Sequence, residues 1–221
     1  MARIVLSDYH HLVYIDGSET RMVAGVDEAG RGPWAGPVVA AAVVLGAFVP
    51  DGLADSKRLS PKARERLFSE IMTGAEAVAF RIASARRIDR ADILRATLQA
   101  MRQCVLALPV KPHQVYVDGT HIIPGVDVPQ RAVVRGDALV PEVSAAGIVA
   151  KVIRDRIMRT WDRAWPAYGF AAHKGYGTRE HLRALLEHGP CPLHRFSFAP
   201  VRRATERSGG PGQETNVRVS K

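Results

Sequence analysis

No stretch constrains the fold of this chain more than residues 33 to 50, PWAGPVVAAAVVLGAFVP, which carry no charged side chain. Such a run must be shielded from water. Its length is near the lower limit for a membrane-crossing helix. However, Pro37, the glycines Gly36 and Gly46 and the valine pairs Val38-Val39 and Val43-Val44 predict a strand buried within a sheet. The membrane alternative is set aside on that ground.

The neighbouring segments extend the pattern. Residues 22 to 27, MVAGVD, predict a strand joined to the buried one by a glycine-rich turn. Ser60 as cap and Pro61 at the first helical position open a helix. Residues 77 to 83 predict a third strand. From 88 to 108, the apolar positions Leu94, Leu98, Met101, Val105 and Leu108 alternate by four and three, predicting one helix with a buried face. Strands follow over 113 to 120, ending in Asp118-Gly119, and over 131 to 137, ending in Arg135-Gly136-Asp137. Helices are predicted over 141 to 164 and 179 to 188. The order β-β-α-β-α-β-β-α-α indicates an α/β domain with a mixed sheet. The expected organisation is an extension over 1–21, a catalytic domain over 22–203, and a disordered, Gly-, Ser- and charge-rich tail over 204–221.

Lysine and arginine number 31 against 22 acidic residues, a formal charge of +9. That balance favours a polyanionic partner. The opening residues have no apolar run suited to a secretion signal, and the only two cysteines, Cys104 and Cys191, form no CxxC pair. A reduced thiol at Cys104 and a cytoplasmic location are expected. Cys191 stands at C-x-x-H spacing from His194 and near His188, a fragment of a zinc site but too few ligands to make one.

Three predicted strands end in acid: Asp27-Glu28, Asp118 and Asp137. The carboxyl ends of neighbouring strands form the usual crevice of an α/β sheet. Carboxylates gathered there repel one another unless protons or cations neutralise them. Mg²⁺ or Mn²⁺, hard ions that prefer oxygen, suit such a site and its chemistry of phosphodiester hydrolysis. Adjacent residues on a regular strand face opposite ways, so Asp27 and Glu28 can share a site only if the strand bends.

The residues DEAGRGP (27–33), DSKRLS (55–60), VDGT (117–120), RGD (135–137), PEVSAAGIVAKVIRD (141–155), YGFAAHKGYGT (168–178) and HGPCPLHRFSFAPV (188–201) occur in the order of the motifs of bacterial ribonuclease HII, the type 2 ribonuclease H, which the chain resembles over residues 22 to 203. The resemblance implies a ribonuclease H-like mixed five-stranded sheet flanked by helices, with additional C-terminal helices. It implies a metal-dependent endonuclease that hydrolyses the RNA strand of RNA-DNA hybrids and cuts 5′ to single ribonucleotides in duplex DNA, leaving 5′-phosphate and 3′-hydroxyl ends. Asp27, Glu28, Asp118 and Asp137 correspond to the catalytic, metal-binding acids, with Mn²⁺ or Mg²⁺ as cofactor. The backbone of Gly30, Arg31 and Gly32 corresponds to the turn that meets the ribose 2′-hydroxyl, and Tyr176 to a ring on the next sugar. Lys57, Arg58 and Lys174 are expected on phosphates, while Asp155 and Lys151 form a supporting i,i+4 ion pair on a helix. A monomer is expected.

Departures from the family pattern are Gly147 where serine is usual, Thr120 in place of asparagine, and Trp34 in place of an aliphatic residue. Glycine within a helix predicts close packing at 147; Trp34 is expected to be partly buried. Two alternatives stay open from sequence: a junction resolvase or integrase-like nuclease on the same fold, and a non-enzymatic nucleic-acid-binding module.

Overall fold

The computed structural model describes residues 22–54, 56 and 59–206, with the backbone of Tyr14–Ile15, Glu19–Thr20 and Arg207. Lys57, Arg58, most of the 1–21 extension and residues 208–221 lie outside the described residues. Strands β1 (Tyr14–Ile15) and β2 (Glu19–Thr20) form a small antiparallel pair. The principal sheet consists of β3 (Val23–Ala29), β4 (Val38–Val44), β5 (Ala77–Ala83), β6 (Gln114–Asp118) and β7 (Gln130–Val133), in the spatial order β5-β4-β3-β6-β7. The pairs β3-β4 and β4-β5 are antiparallel, whereas β3-β6 and β6-β7 are parallel.

The uncharged run forms β4, buried along its whole length. Alternation divides it between two cores. Val38, Ala40, Ala42 and Val44 face one core with Ala96, Ala100, Met101 and Cys104, while Val39, Ala41 and Val43 face another with Ala145, Ile148, Val149 and Val152. The Cys104 thiol is fully buried and donates to the Ala40 carbonyl at 3.3 Å.

Helix α1 (Pro61–Gly74) begins as expected, with Ser60 Oγ accepting from the Ala63 N–H. The single helix expected over 88 to 108 is instead two, α2 (Ala85–Ala91) and α3 (Ile93–Leu106). Asp92, at φ 74°, ends the first and caps the second by accepting from the Arg95 N–H at 2.9 Å. Apolar periodicity continued across this joint, so only the capping aspartate marked it. The close contact of α3 with the sheet is made by small residues, Ala96 and Ala100, with the expected Leu94 and Leu98 only half-buried.

The strand expected to end in Asp137 also differs. β7 stops at Val133, Arg135 takes a left-handed conformation at φ 58°, and Asp137 lies in the first turn of the short helix α4 (Gly136–Leu139). Helix α5 spans Pro141–Ala164 and crosses the sheet on β3. After a 3-10 turn at Pro166–Tyr168 come α6 (Phe170–His173), α7 (Arg179–His188) and α8 (Ala199–Arg207). α8 continues past the expected domain limit at 203, with Ala204 packed against Leu185 and Val201. No helix among the described residues is long and apolar enough to cross a membrane.

Candidate active site

Parallel pairing between β3 and β6 ends at Val26↔Val117, one residue before the acids, whereas β3 remains paired with β4 through Ala29↔Val39. The expected bend is therefore not a break in the strand. Instead Asp27 and Glu28 lie just beyond the β3-β6 pairing, and both line one cavity. Asp27 points toward α5, where a Cβ on Gly147 would lie 2.4 Å from Asp27 Oδ2. The close packing expected at Gly147 is thus contact with a catalytic-candidate carboxylate on a strand. Glu28 borders both a small cleft with Asp118, Gly119 and Thr120 and a cavity of about 260 Å³ shared with Asp27.

The acids are fixed from below. Asp27 Oδ1 accepts from the Glu28 N–H at 2.6 Å, and Asp118 Oδ1 accepts from the Gly136 N–H at 2.7 Å, which ties β6 to the turn carrying Asp137. Burial, together with Glu28, Asp118 and Asp137, holds the Asp27 carboxyl well above the usual carboxylate range; the Glu28 N–H offsets only part of this. Glu28, Asp118 and Asp137 therefore all lie within electrostatic reach of Asp27.

Among the described residues, no three His, Cys, Asp or Glu side chains already surround one metal position. The fit to a divalent cation rests on donor chemistry and charge: the donors are all oxygen, and the burial and neighbouring carboxylates that raise Asp27 are what a hard cation offsets.

The 260 Å³ cavity is also lined by Gly30, Arg31, Gly32, Ser56, Lys151, Arg154 and Tyr176. Gly30 adopts φ +100°, and a Cβ there would sit 2.1 Å from Arg154 Nε. Glycine is required on both counts. Arg31 reaches back to Glu28 at 3.6 Å. The Tyr176 ring, 45% exposed, stands next to Gly32, where an added Cβ would approach Cε1 to 3.8 Å. Lys151 Nζ lies 2.7 Å from Asp155 Oδ1, forming the i,i+4 ion pair. Lys174 is not in this cavity. It lines a neighbouring one with Arg64, Asp155 and Arg159, and its ammonium donates to the Ala171 carbonyl. Trp34 is half-buried over Gly177 and packs on His181 with ring centroids 5.4 Å apart.

Sequence patterns did not single out the two buried arginines. Arg154 donates to the carbonyls of Pro37, Ala35 and Lys174, and Arg195 to those of Gly36, Arg31 and Gly30. Both lie inside motifs quoted above, but nothing in a motif distinguishes a buried guanidinium from a solvated one.

The Cys191–His194 fragment is engaged in hydrogen bonds. Cys191 Sγ lies 3.2 Å from His194 Nδ1, and His194 Nε2 lies 3.0 Å from His181 Nε2. His188, at 41% side-chain exposure, lies toward Glu187 instead. Burial pushes His194 down to about 3 and His181 to about 4, so both rings are neutral near pH 7. Because a carbonyl only accepts, His181 Nδ1 carries the proton it donates to Tyr176 O at 2.9 Å. The histidine pair thereby holds the backbone of the tyrosine that lines the acidic cavity.

A model of the ribonuclease HII family matches residues 24–201. A ribonuclease HII of Acidovorax sp. (strain JS42) is 55% identical over 193 residues, 87% of this chain and 92% of that protein. One from Rhizobium etli (strain CIAT 652) is 51% identical over 83% of this chain and 80% of its own. Among solved structures, ribonuclease H2 of Pyrococcus horikoshii OT3 superposes with a TM-score of 0.70 at 27% identity, covering 84% of this chain and 98% of that one. The fold, though not more, is shared with a Bst-RNase HIII solved in complex with Mn²⁺, TM-score 0.61 at 19% identity over 86% of this chain and 70% of that one. The mixed five-stranded sheet flanked by helices agrees with these neighbours. The chain belongs to the ribonuclease HII family, and it is a ribonuclease H enzyme.

Proposed function

We propose that this enzyme hydrolyses the RNA strand of RNA-DNA hybrids and cuts 5′ to single ribonucleotides embedded in duplex DNA, leaving 5′-phosphate and 3′-hydroxyl ends. The observation that carries this proposal is the sharing of one cavity by Asp27, Glu28, the Gly30–Arg31–Gly32 turn and Tyr176. Carboxylates for the reaction and a side-chain-free turn for reading a sugar stand side by side. Family membership removes the ground for the binding-module and junction-resolvase alternatives.

Asp27, Glu28, Asp118 and Asp137 would hold Mg²⁺ or Mn²⁺, which when bound activates water and stabilises the leaving oxygen. The turn lets the backbone approach the 2′-hydroxyl, the group that separates RNA from DNA. Tyr176, standing against Gly32, packs on the sugar of the following nucleotide and crowds a second 2′-hydroxyl, which favours a ribose-to-deoxyribose step. Lys151 in the cavity, Lys174 with Arg64 and Arg159 beside it, and Lys57 and Arg58 contact phosphates without reading base sequence. The +9 formal charge attracts the duplex as a whole. The enzyme acts as a cytoplasmic monomer in ribonucleotide and RNA-primer removal.

The test is incubation with a duplex bearing one ribonucleotide, beside an all-DNA duplex and an all-DNA four-way junction, with Mg²⁺ and separately with Mn²⁺. A cut on the 5′ side of the ribonucleotide is expected, with both DNA controls intact. Asp27→Asn is expected to abolish cutting while leaving binding. Failure to cut with either ion would overturn the proposal, and junction cleavage without a 2′-hydroxyl would favour a resolvase.

A further inference from the structure

Behind the Gly30–Arg31–Gly32 turn lies Arg195, fully buried, with its own N–H donated to Trp34 O at 2.8 Å. Its guanidinium makes three hydrogen bonds, all to one stretch of backbone. Nη2 donates to Gly30 O at 2.5 Å, Nη1 to Arg31 O at 2.8 Å and Nε to Gly36 O at 3.0 Å. Neither Arg195 nor the neighbouring Arg154 forms an ion pair among the described residues. Burying a cation without a carboxylate is costly. Such a residue is retained where the planar fork of fixed donors does something a smaller or neutral side chain cannot.

What it does here follows from peptide geometry. In a trans peptide, the N–H lies opposite the carbonyl of the same unit. With the carbonyls of Gly30 and Arg31 both drawn back onto Arg195, the N–H groups of Arg31 and Gly32 are turned the other way. That is the exposed side, where both residues line the cavity with Asp27, Glu28 and Tyr176. Two successive N–H groups on one side of a turn make a concavity suited to an electronegative oxygen. The φ of +100° at Gly30 permits both carbonyls to converge on one point. Arg154 acts elsewhere, joining Ala35 and Pro37 to Lys174 at the root of the Tyr176 arm.

We propose that Arg195 is the positioning residue for ribose recognition. By holding the carbonyls of Gly30 and Arg31 from behind, it presents the N–H groups of Arg31 and Gly32 as paired donors to the 2′-oxygen at the cleavage site. The ribose-over-deoxyribose selectivity of the enzyme is set by this buried side chain as much as by the turn itself. The assignment rests on the proposed function, in which the turn meets the 2′-hydroxyl. A lysine in its place keeps the charge but offers one compact ammonium, which cannot hold three carbonyls in the plane of the fork.

The experiment measures single-turnover cleavage of three duplexes, carrying one ribonucleotide, one 2′-fluoro-deoxynucleotide or DNA alone, by the wild-type chain and Arg195→Lys. The wild-type chain must cut at the ribonucleotide and spare DNA; failure there overturns the proposed function and leaves the backbone geometry of Arg195 untouched. Given that result, Arg195→Lys is expected to lose about 100-fold on the ribonucleotide, the scale of losing a preorganised backbone donor. The 2′-fluoro substrate, expected to be cut slowly by the wild-type chain, should lose far less, so the ratio of the two rates shrinks at least about tenfold. An equal loss on both substrates would show that Arg195 only maintains the fold, and would overturn the assignment. Should Arg195→Lys not fold, amide exchange in the wild-type chain decides, with Ca²⁺ present to prevent cutting. Protection of the Arg31 and Gly32 amides by the ribonucleotide duplex but not by DNA supports the assignment, and equal protection by both overturns it.

Discussion

At Gly147, α5 passes so close to β3 that an added Cβ would lie 2.4 Å from Asp27 Oδ2. The missing side chain lets the carboxylate lean into the interior, which contributes to the burial that raises its pKa. Alanine at this position gains about 1 kcal/mol of helix propensity. The atom in its way is the mobile end of a side chain, so the fold can accept it by turning Asp27 aside. Gly147→Ala is therefore expected to keep or raise the thermal midpoint while slowing cleavage about tenfold at limiting metal, as a displaced reacting group does. Rates against Mg²⁺ concentration, with thermal unfolding in parallel, check this. An unchanged metal dependence would show that the inward position of Asp27 is immaterial to its chemistry.

At the scale of elements, the site depends on how α5 seats on β3. A Cβ on Gly25 would fall 2.1 Å from the backbone carbon of Glu142 and 2.2 Å from the nitrogen of Val143. Backbone cannot swing aside as a carboxylate can. Gly25→Ala is expected to lift the first turn of α5 off the sheet and cost about 3 kcal/mol, the upper range for overpacking. Urea unfolding measures it; a loss under about 1 kcal/mol would mean that the helix slides with little resistance. The same seating brings Gly147 against Asp27, and Lys151 and Arg154, each about one helical turn further on, into the cavity that Asp27 and Glu28 line. Pairing with β4 alone then keeps the acids extended without closing the site.

For the molecule as a whole, buried titratable groups pull stability in opposite directions. Glu142 is buried with Oε2 lacking a hydrogen-bond partner among the described residues, and burial pushes its carboxyl up to about 7. The unfolded value is about 4.3, so its contribution is complete below that pH and is lost as pH rises through about 7. His181 and His194, pushed down to about 4 and about 3, behave oppositely. Their contribution is complete above about pH 6.5, the unfolded value, and is lost as pH falls through the folded values. The urea midpoint of the wild-type chain is therefore expected to decline on both sides. Glu142→Gln should raise it at about pH 8 and leave it unchanged at about pH 4, below the unfolded value; a variant that tracks the wild type at both would exonerate Glu142. Much of this architecture was legible beforehand. The buried strand, the Ser60 cap and the limits of α5 and α7 follow from local periodicity and capping, which act within a few residues. The ordered motifs were enough to point to the family. Other features needed the folded chain: the break at Asp92, the helical setting of Asp137, the removal of Lys174 to a neighbouring cavity, and the buried clamp of Arg195 on Arg31, 164 residues away. Local propensities determined which segments are strands and helices. Only tertiary packing decided which side chains share a cavity and which cations lose their water, because burial and hydrogen-bond partners belong to contacts across the chain rather than to the residue itself.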